Sequence, residues 1–563
     1  MADLRPPRSR FRDGEWLWML TLRVAGRDVR FVSGEPVDVP SRTVGTLRYG
    51  GGMATAGLAR TLDMFADVPS ERSASFQVVL DFDLAQEIER GHLVHAATGE
   101  LAQWRIGDNF EDRRIILAGE LRQPAYGYRD EGFAFTLQET LGEDRGRFLE
   151  PSEIVGQDTF PSGDVTGSED VDHIWGVGYT IVIGAPGGGV TAEVAGTTIY
   201  TDLPGAPVLL VEQQQPSTAV ITDYRFFLCR GIATGIGSTI DVYNATDRTK
   251  DTTAILAVAQ DKLGRDYTFG EPANSADIPG KTDALFTAWY DRTATPQEIG
   301  STPSPHSTRS LRRASDVLRW ALSLSTLRID RSQLGRLRAL AGIHVDTYIN
   351  DPELSPWVWI RDVLLPLLPA SAVSGPDGLY IAAWNYGATA EDATGPRLEV
   401  GRNCERSPNT PVVYSDEGDV VNEITLQWAL DASTGQYTRR KTIGAQWVDG
   451  TNQETHPSIW AKRSQALFGK RTLSIEGPWV YDEATADVVT QALMRRHALP
   501  VRRLAVMGGP ELEWARPGDV SLLTDAELFF TNRPVHIETV RSSDDGLVEI
   551  GLVVFDQLGY PDG

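Results

Sequence analysis

The stretch GAPGGG, Gly184 to Gly189, follows an apolar run, the position from which backbone N–H groups cradle a phosphate in nucleotide-binding loops. A Walker loop needs Lys and then Ser or Thr directly after its last glycine, to reach the phosphates and the magnesium ion. Val190 and Thr191 follow instead. A dinucleotide loop needs a helix opening at the glycines, whereas VTAEVAGTTIYT (190–201) alternates like a strand and is rich in β-branched residues. The cluster reads as a turn between two strands.

Other reactive residue types lack the partners their chemistry requires. His92 and His95 would place two imidazoles together on a helix, but no third ligand nearby completes a zinc pattern, so they read as surface or hydrogen-bonded histidines. Asp81 and Asp83 flank Phe82 and on a strand would aim both carboxylates one way, as in a glycosidase or a calcium site. With no third element in support, they read as solvated strand-face carboxylates. Cys229 stands in YRFFLCRG, an apolar strand rather than the helix start that a thiol nucleophile needs. It forms no CxxC pair with Cys404, so both are expected as buried thiols. No Gly-x-Ser-x-Gly motif occurs, and ATGIGST (233–239) lacks the context of a nucleophilic serine. No catalytic, cofactor-binding or metal-ligating residue is assigned, and a protein without enzymatic activity or cofactor is expected.

One basic cluster contrasts with the rest of the chain: Arg439, Arg440, Lys441, Lys462, Arg463, Lys470, Arg471, Arg495, Arg496, Arg502 and Arg503. It suits nucleic acid, an acidic neighbouring subunit or plain solvation; the absence of interleaved aromatics and the overall negative charge favour the subunit.

The elements that would hold these residues are mostly strands. In WLWMLTLRVAGRDVRFV, Leu20, Leu22 and Val24 alternate with polar residues, then Val29 and Phe31 resume after a turn, which predicts a hairpin with one buried face. Similar runs recur at SASFQVVLDFDL, AQWRIGD, RRIILAGELRQP and EGFAFTLQET, then at APVLLVEQQQ, TAVITDYRFFLC, STIDVYNA and DALFTAWYD. From Leu311 the period changes: Leu311, Ala314, Leu318, Ala321 and Leu322 share a helical stripe, with Arg312, Arg313 and Arg319 mostly on the other side. Two further helices are expected, after a cap at Asp330 and after Ser355-Pro356, where Trp357, Ile360, Leu364 and Leu367 share a face. Strands dominate again from about Gly401, interrupted by one helix behind Asp482 and closed by a hairpin around SSDDG.

At 563 residues the chain exceeds one ordinary core. The expected organisation is mainly β with some α (α+β), in four segments: 1–151, an N-terminal β-barrel-like domain; 152–305, a second β-rich domain; 306–400, a helical or mixed domain; and 401–563, a C-terminal β-barrel-like domain. The formal net charge of −24 disfavours a duplex reader or an anionic membrane surface, yet it suits a channel through which DNA slides without sticking. The N-terminus has no apolar signal-peptide core, and no run of about 18 apolar residues marks a membrane span, so folding in a cytoplasm is expected.

Several stretches together resemble the baseplate hub or tail-tip hub proteins of tailed bacteriophages and phage-like particles. They are GELRQPAYGYRDEGFAFTLQETLGEDRGRFL, GYTIVIGAPG, PWVWIRDVLLPLLPASAVSGPDGLYI, DVVNEITLQWALDASTGQYTRRKTIG and RPGDVSLLTD, spread between about residues 15 and 556. The resemblance implies a homotrimer whose two β-barrel-like hub domains per subunit build a pseudo-sixfold ring. That ring adapts a sixfold tail to a threefold tip and opens for DNA passage. Its implied partners are the distal tail ring, the C-terminus of the tape-measure protein and fibre or receptor-binding proteins. Its implied location is the virion tail tip, after assembly in the host cytoplasm. Larger relatives carry wall-degrading or fibre-anchoring extensions, whereas FDQLGYPDG follows the last strand closely here, which counts against wall hydrolysis. The competing expectation is a carbohydrate-active or cell-wall-processing enzyme using Asp81 and Asp83.

Overall fold

The computed structural model describes residues 16–555, apart from 25–26, 56–57, 62–72, 79–96, 127–132, 139–143, 154–179, 185, 187–190, 195–196, 201–205, 215–220, 231–238, 245–249, 261–263, 273–285, 290–310, 376–377, 409–411, 415–416, 432–434, 445–458, 513 and 543–546. Asp81, Asp83, His92, His95 and most of ATGIGST lie outside the described residues, and of the glycine stretch only Gly184 and Pro186 lie within them.

Alternation becomes sheet where the sequence predicts it. Trp16–Val24 pairs antiparallel with Arg27–Val32, Met19 opposite Val32, and Leu20, Leu22, Val24, Val29 and Phe31 are buried. These two strands begin a seven-stranded sheet that continues through Thr98–Arg105, Arg114–Tyr126, Phe133–Gln138, Ser73–Val78 and Met53–Thr55. In the next region, Ala206–Gln214, Ile221–Arg230, Asp266–Pro272, Lys250–Gln260, Thr239–Asn244 and Phe286–Trp289 form a closed barrel, which leaves no sheet edge to pair with another chain. Lys250–Gln260 is rich in alanine, a poor strand former, and its place is set by pairing with Asp266–Pro272 from Ala254↔Pro272 to Gln260↔Asp266.

The helical segment follows its stripes. Ala314–Leu324 buries Ala314, Val317, Leu318, Ala321 and Leu322. Arg331–Leu340 winds as a 3-10 helix, because Leu334, Leu337 and Leu340 reach the core at a spacing of three, the period of that helix. Asp330 caps it, accepting from the Ser332 N–H at 3.0 Å. Ser355 caps Pro356–Trp359, accepting from the Val358 N–H at 3.3 Å, and the backbone then widens to a π turn over Ile360–Leu364 before Pro366, which has no N–H to continue the ladder.

After residue 401 the chain departs from the single-helix expectation. Glu423–Asp431 pairs antiparallel with Gln436–Ile443 and parallel with Thr472–Gly477. A parallel pair needs a crossover, and a second helix, Ile459–Phe468, provides it. Glu483–His497 follows, capped by Asp482 as expected. The remaining strands build an eight-stranded sheet around Phe530–Ser542 and Val548–Val554. One of its strands comes from the far end of the chain: Leu58–Thr61 pairs with Phe530–Ser542, Leu58 opposite Ser542 and Thr61 opposite Thr539. The result is a multidomain, mainly-β α+β protein.

A single apolar cluster joins the middle of the chain, taking Phe227 and Phe269 from the barrel, Leu318 and Trp357 from the helical segment, and Leu426, Trp479 and Met494 from the three-stranded sheet and its helices. The two terminal sheets keep clusters of their own.

Candidate functional site

The glycine stretch ends a strand at a joint between segments. Gly184 follows Ile181–Ile183 with φ at +65°, and its N–H donates to the Leu311 carbonyl at 2.7 Å. A Cβ here would lie 2.3 Å from Asp346 Oδ1 and 2.6 Å from the Val345 carbonyl, so both the backbone angle and the space require glycine. Asp346 is fully buried and takes a two-pronged bond from Arg312, Nε to Oδ1 at 2.8 Å and Nη2 to Oδ2 at 3.0 Å. Arg312 also stands 3.8 Å from Asp482, the cap of Glu483–His497. The sequence placed Arg312 on the polar side of a stripe; it lies just before the helix and turns inward because Asp346 is there. A phosphate at Gly184 would meet that carboxylate, so the glycine serves a joint and not an anion.

Three of the quoted motifs resolve into joints of the same kind. In GEDRG, Asp144 accepts from the Gly146 N–H at 2.9 Å, from the Thr326 N–H and hydroxyl at 2.8 and 3.0 Å, and from the Trp357 N–H at 2.9 Å. In DVVNEI, fully buried Asn422 donates to Ser464 Oγ at 3.1 Å and to the Gly469 carbonyl at 2.7 Å, and accepts from the Arg471 N–H at 2.8 Å. In RPGD, buried Asp519 accepts from Arg336, from the Thr394 hydroxyl at 3.1 Å and from the Arg516 N–H at 3.1 Å, while Arg516 donates to Asp330 at 2.5 Å. Gly518 has φ at +83° and a Cβ would come 2.4 Å from that of Ala382, which explains the Gly before this Asp. Each joint fills nearly all the hydrogen-bonding capacity of one small polar side chain and ties segments remote in sequence.

The basic cluster is largely engaged inside the chain. Lys441 pairs with Asp487 and, at 3.4 Å, with Glu483; Lys470 pairs with Glu423 at 2.8 Å and Arg503 with Glu538 at 3.2 Å. Arg439, Arg471 and Arg502 lie over the rings of Trp428, Phe468 and Phe530.

Cys229 and Cys404 are buried free thiols, as expected. Burial, with the Glu405 charge adding, pushes the Cys404 thiol up to about 12, far from a thiolate. His536 is buried between Trp384 and Phe555, and burial lowers its pKa to about 4. Its Nε2 donates to the Asn385 carbonyl at 2.9 Å, so Nδ1 is left as an acceptor without a partner. Among the described residues no group of three or more His, Cys, Asp or Glu is placed to hold a metal ion, and no helix is long and apolar enough to cross a membrane. Sequence reasoning passed over the Arg312–Asp346 pair and His536. Their partners lie 34 and 151 residues away, beyond any local pattern.

No family model matches the chain, and no curated protein matches it. Solved structures similar to it include the tail protein from Neisseria meningitidis MC58, at 11% identity and a TM-score of 0.35, with 95% of this chain and 96% of that one covered. Another is the 43 kDa tail protein of prophage MuSo2 from Shewanella oneidensis, at 10% identity and a TM-score of 0.32, covering 95% and 98%. A third is a chain of the virion of a native gene transfer agent particle, at 13% identity and a TM-score of 0.38, covering 72% and 89%. Likenesses this distant carry no functional weight by themselves.

Proposed function

We propose that this chain is a structural protein of the tail of a bacteriophage or phage-like particle, and within it the baseplate or tail-tip hub. The observation that carries the reading is the pair of terminal β sheets joined by Leu58–Thr61, a strand of the N-terminal region built into the C-terminal sheet. A subunit with two such modules fastened side by side offers six modules as a trimer, the arrangement that lets a threefold tip meet a sixfold tail. The motif resemblance supports the same reading, since its Asp144, Asn422 and Asp519 are framework joints. The net charge of −24 suits a conduit that does not hold DNA phosphates. In this reading trimer contacts close the tube, and engagement of a receptor by fibre proteins shifts the balance to an open arrangement. The distal tail ring and the tape-measure C-terminus are its neighbours. The test is immunogold labelling of purified particles with an antibody to this chain. Label confined to one tail end is expected; particles that lack the chain would sink the reading.

A further inference from the structure

The strands Val520–Asp525 and Phe530–Ser542 are joined by a four-residue turn, with Asp525 opposite Phe530. Phe529, the last turn residue, has φ at +56° and is 93% exposed. A left-handed residue at the end of such a turn is ordinarily Gly or Asn, because a Cβ is strained there. Phe530 beside it is buried, with Arg502 over its ring at 5.3 Å. Of two adjacent phenylalanines, the fold uses one and holds the other out in a conformation that opposes it. Backbone strain held in place by surrounding bonds is the kind of outlier from which a functional role is inferred.

Those bonds are visible. Arg406 donates to both oxygens of Asp525 at 2.7 and 2.6 Å and to Glu527 at 2.7 Å. Asp525 Oδ1 accepts in turn from the Glu527 and Leu528 N–H groups at 3.0 and 3.3 Å. The tip is therefore rigid before any encounter, and docking it forfeits little conformational freedom. Its exposed groups are an aromatic ring and the Glu527 carboxylate. The complementary chemistry, aromatic surface beside a cation, exists on the same chain: half-buried Trp460 and Phe555, with buried Tyr386 packed edge-on against Phe555, line a small cleft, and exposed Arg495 stands among its lining residues.

We propose that the Phe529 tip docks on a second copy of this chain, its ring lying across the Tyr386–Trp460–Phe555 cleft with Glu527 facing Arg495. The inference rests on the homo-oligomeric reading above and names the contact. Tip and cleft are different patches, so the contact is head-to-tail, the kind that generates a ring where its rotation closes. Rigid aromatic anchors of this kind carry most of the affinity at protein interfaces.

Phe529→Gly separates fold from docking, since it removes the ring and relieves the left-handed strain. The full chain and this variant are compared by light scattering over a concentration series, together with thermal unfolding. The expected result is a Tm equal to or above that of the parent with self-association weakened about tenfold or more. Arg495→Glu is expected to weaken association at low salt and to recover in part at high salt. A benzoylphenylalanine at position 529 is expected to photo-crosslink to the cleft of another copy. A Phe529→Gly protein that associates like the parent would overturn the proposal, as would a crosslink mapped elsewhere or a parent protein that stays monomeric throughout. The tail reading is judged separately: label on particles with a monomeric parent removes the docking alone, and Phe529-dependent oligomers with unlabelled particles remove the tail reading alone.

Discussion

Single polar residues hold this chain together, and the consequences of losing them are local and large. Gly184→Ala forces a Cβ into the Arg312–Asp346 pair at an unfavourable backbone angle. Left-handed strain of about 1–2 kcal/mol and overpacking of about 1–3 kcal/mol together predict a loss of about 2–5 kcal/mol, read as a lowered urea midpoint. His536 makes stability depend on pH. Its native pKa of about 4 lies below the ordinary 6.5, so the unfolded chain takes up a proton between those values that the folded chain refuses. The contribution is whole above pH 6.5 and is lost as pH falls toward 4, amounting to about 3 kcal/mol at about 1.4 kcal/mol per unit. His497, lowered to about 4 by burial and then by Arg496, acts in the same direction. In His536→Leu, unfolding measured at several pH values is expected to show a shallower slope across that window. An unchanged slope would show that His536 is open to water.

At the scale of elements, the strand Leu58–Thr61 is the bond between the two ends of the chain. Ala59 faces Arg541 and Arg60 faces Val540 in the ladder, so proline at both positions removes the donors of successive residues, at least one of which points at Phe530–Ser542. The double variant Ala59→Pro/Arg60→Pro is expected to fold its separate cores, since the two terminal clusters draw on other strands. Limited proteolysis is expected to cut it between residues 55 and 73 at least tenfold faster than the parent. Equal cleavage rates would mean that side-chain contacts, and not this ladder, join the sheets.

The whole molecule combines a shared central core with a strongly acidic balance. Because the barrel, the helical segment and the three-stranded unit contribute to one cluster, they are expected to unfold in one transition, with coincident Trp fluorescence and circular dichroism curves. A barrel that melts first would show that its contacts with the cluster are weak. The net charge of −24, with Lys441, Lys470 and Arg503 spent on internal pairs, leaves little to attract phosphates. Duplex and single-stranded DNA are therefore expected to show no mobility shift with the purified chain at about 0.15 M salt. A shift that weakens steeply with added salt would reveal a basic surface that these pairs do not neutralise.

Much of the secondary structure could be read from the sequence because its causes are local. The alternation of Leu20, Leu22 and Val24, the stripe through Ala314, Leu318, Ala321 and Leu322 and the caps Asp330, Ser355 and Asp482 each act within a few residues and appear where their pattern places them, although Leu311, the expected start of the stripe, lies before the helix. At Gly184 the missing Lys and the strand-like residues that follow argue locally against a phosphate loop. What the glycine does instead was not legible, because Asp346 reaches it from 162 residues away. The same holds for the alanine-rich strand that completes the barrel, the crossover helix Ile459–Phe468, the inward turn of Arg312 and the strand Leu58–Thr61 within the last sheet. Composition and periodicity determined the class, the turns, the caps and the buried faces, since side-chain direction repeats every two or 3.6 residues. Only the tertiary structure decided which polar groups meet, because burial makes an unpaired polar atom costly and the partner that satisfies it stands up to 213 residues distant, as Asp144 does from Trp357.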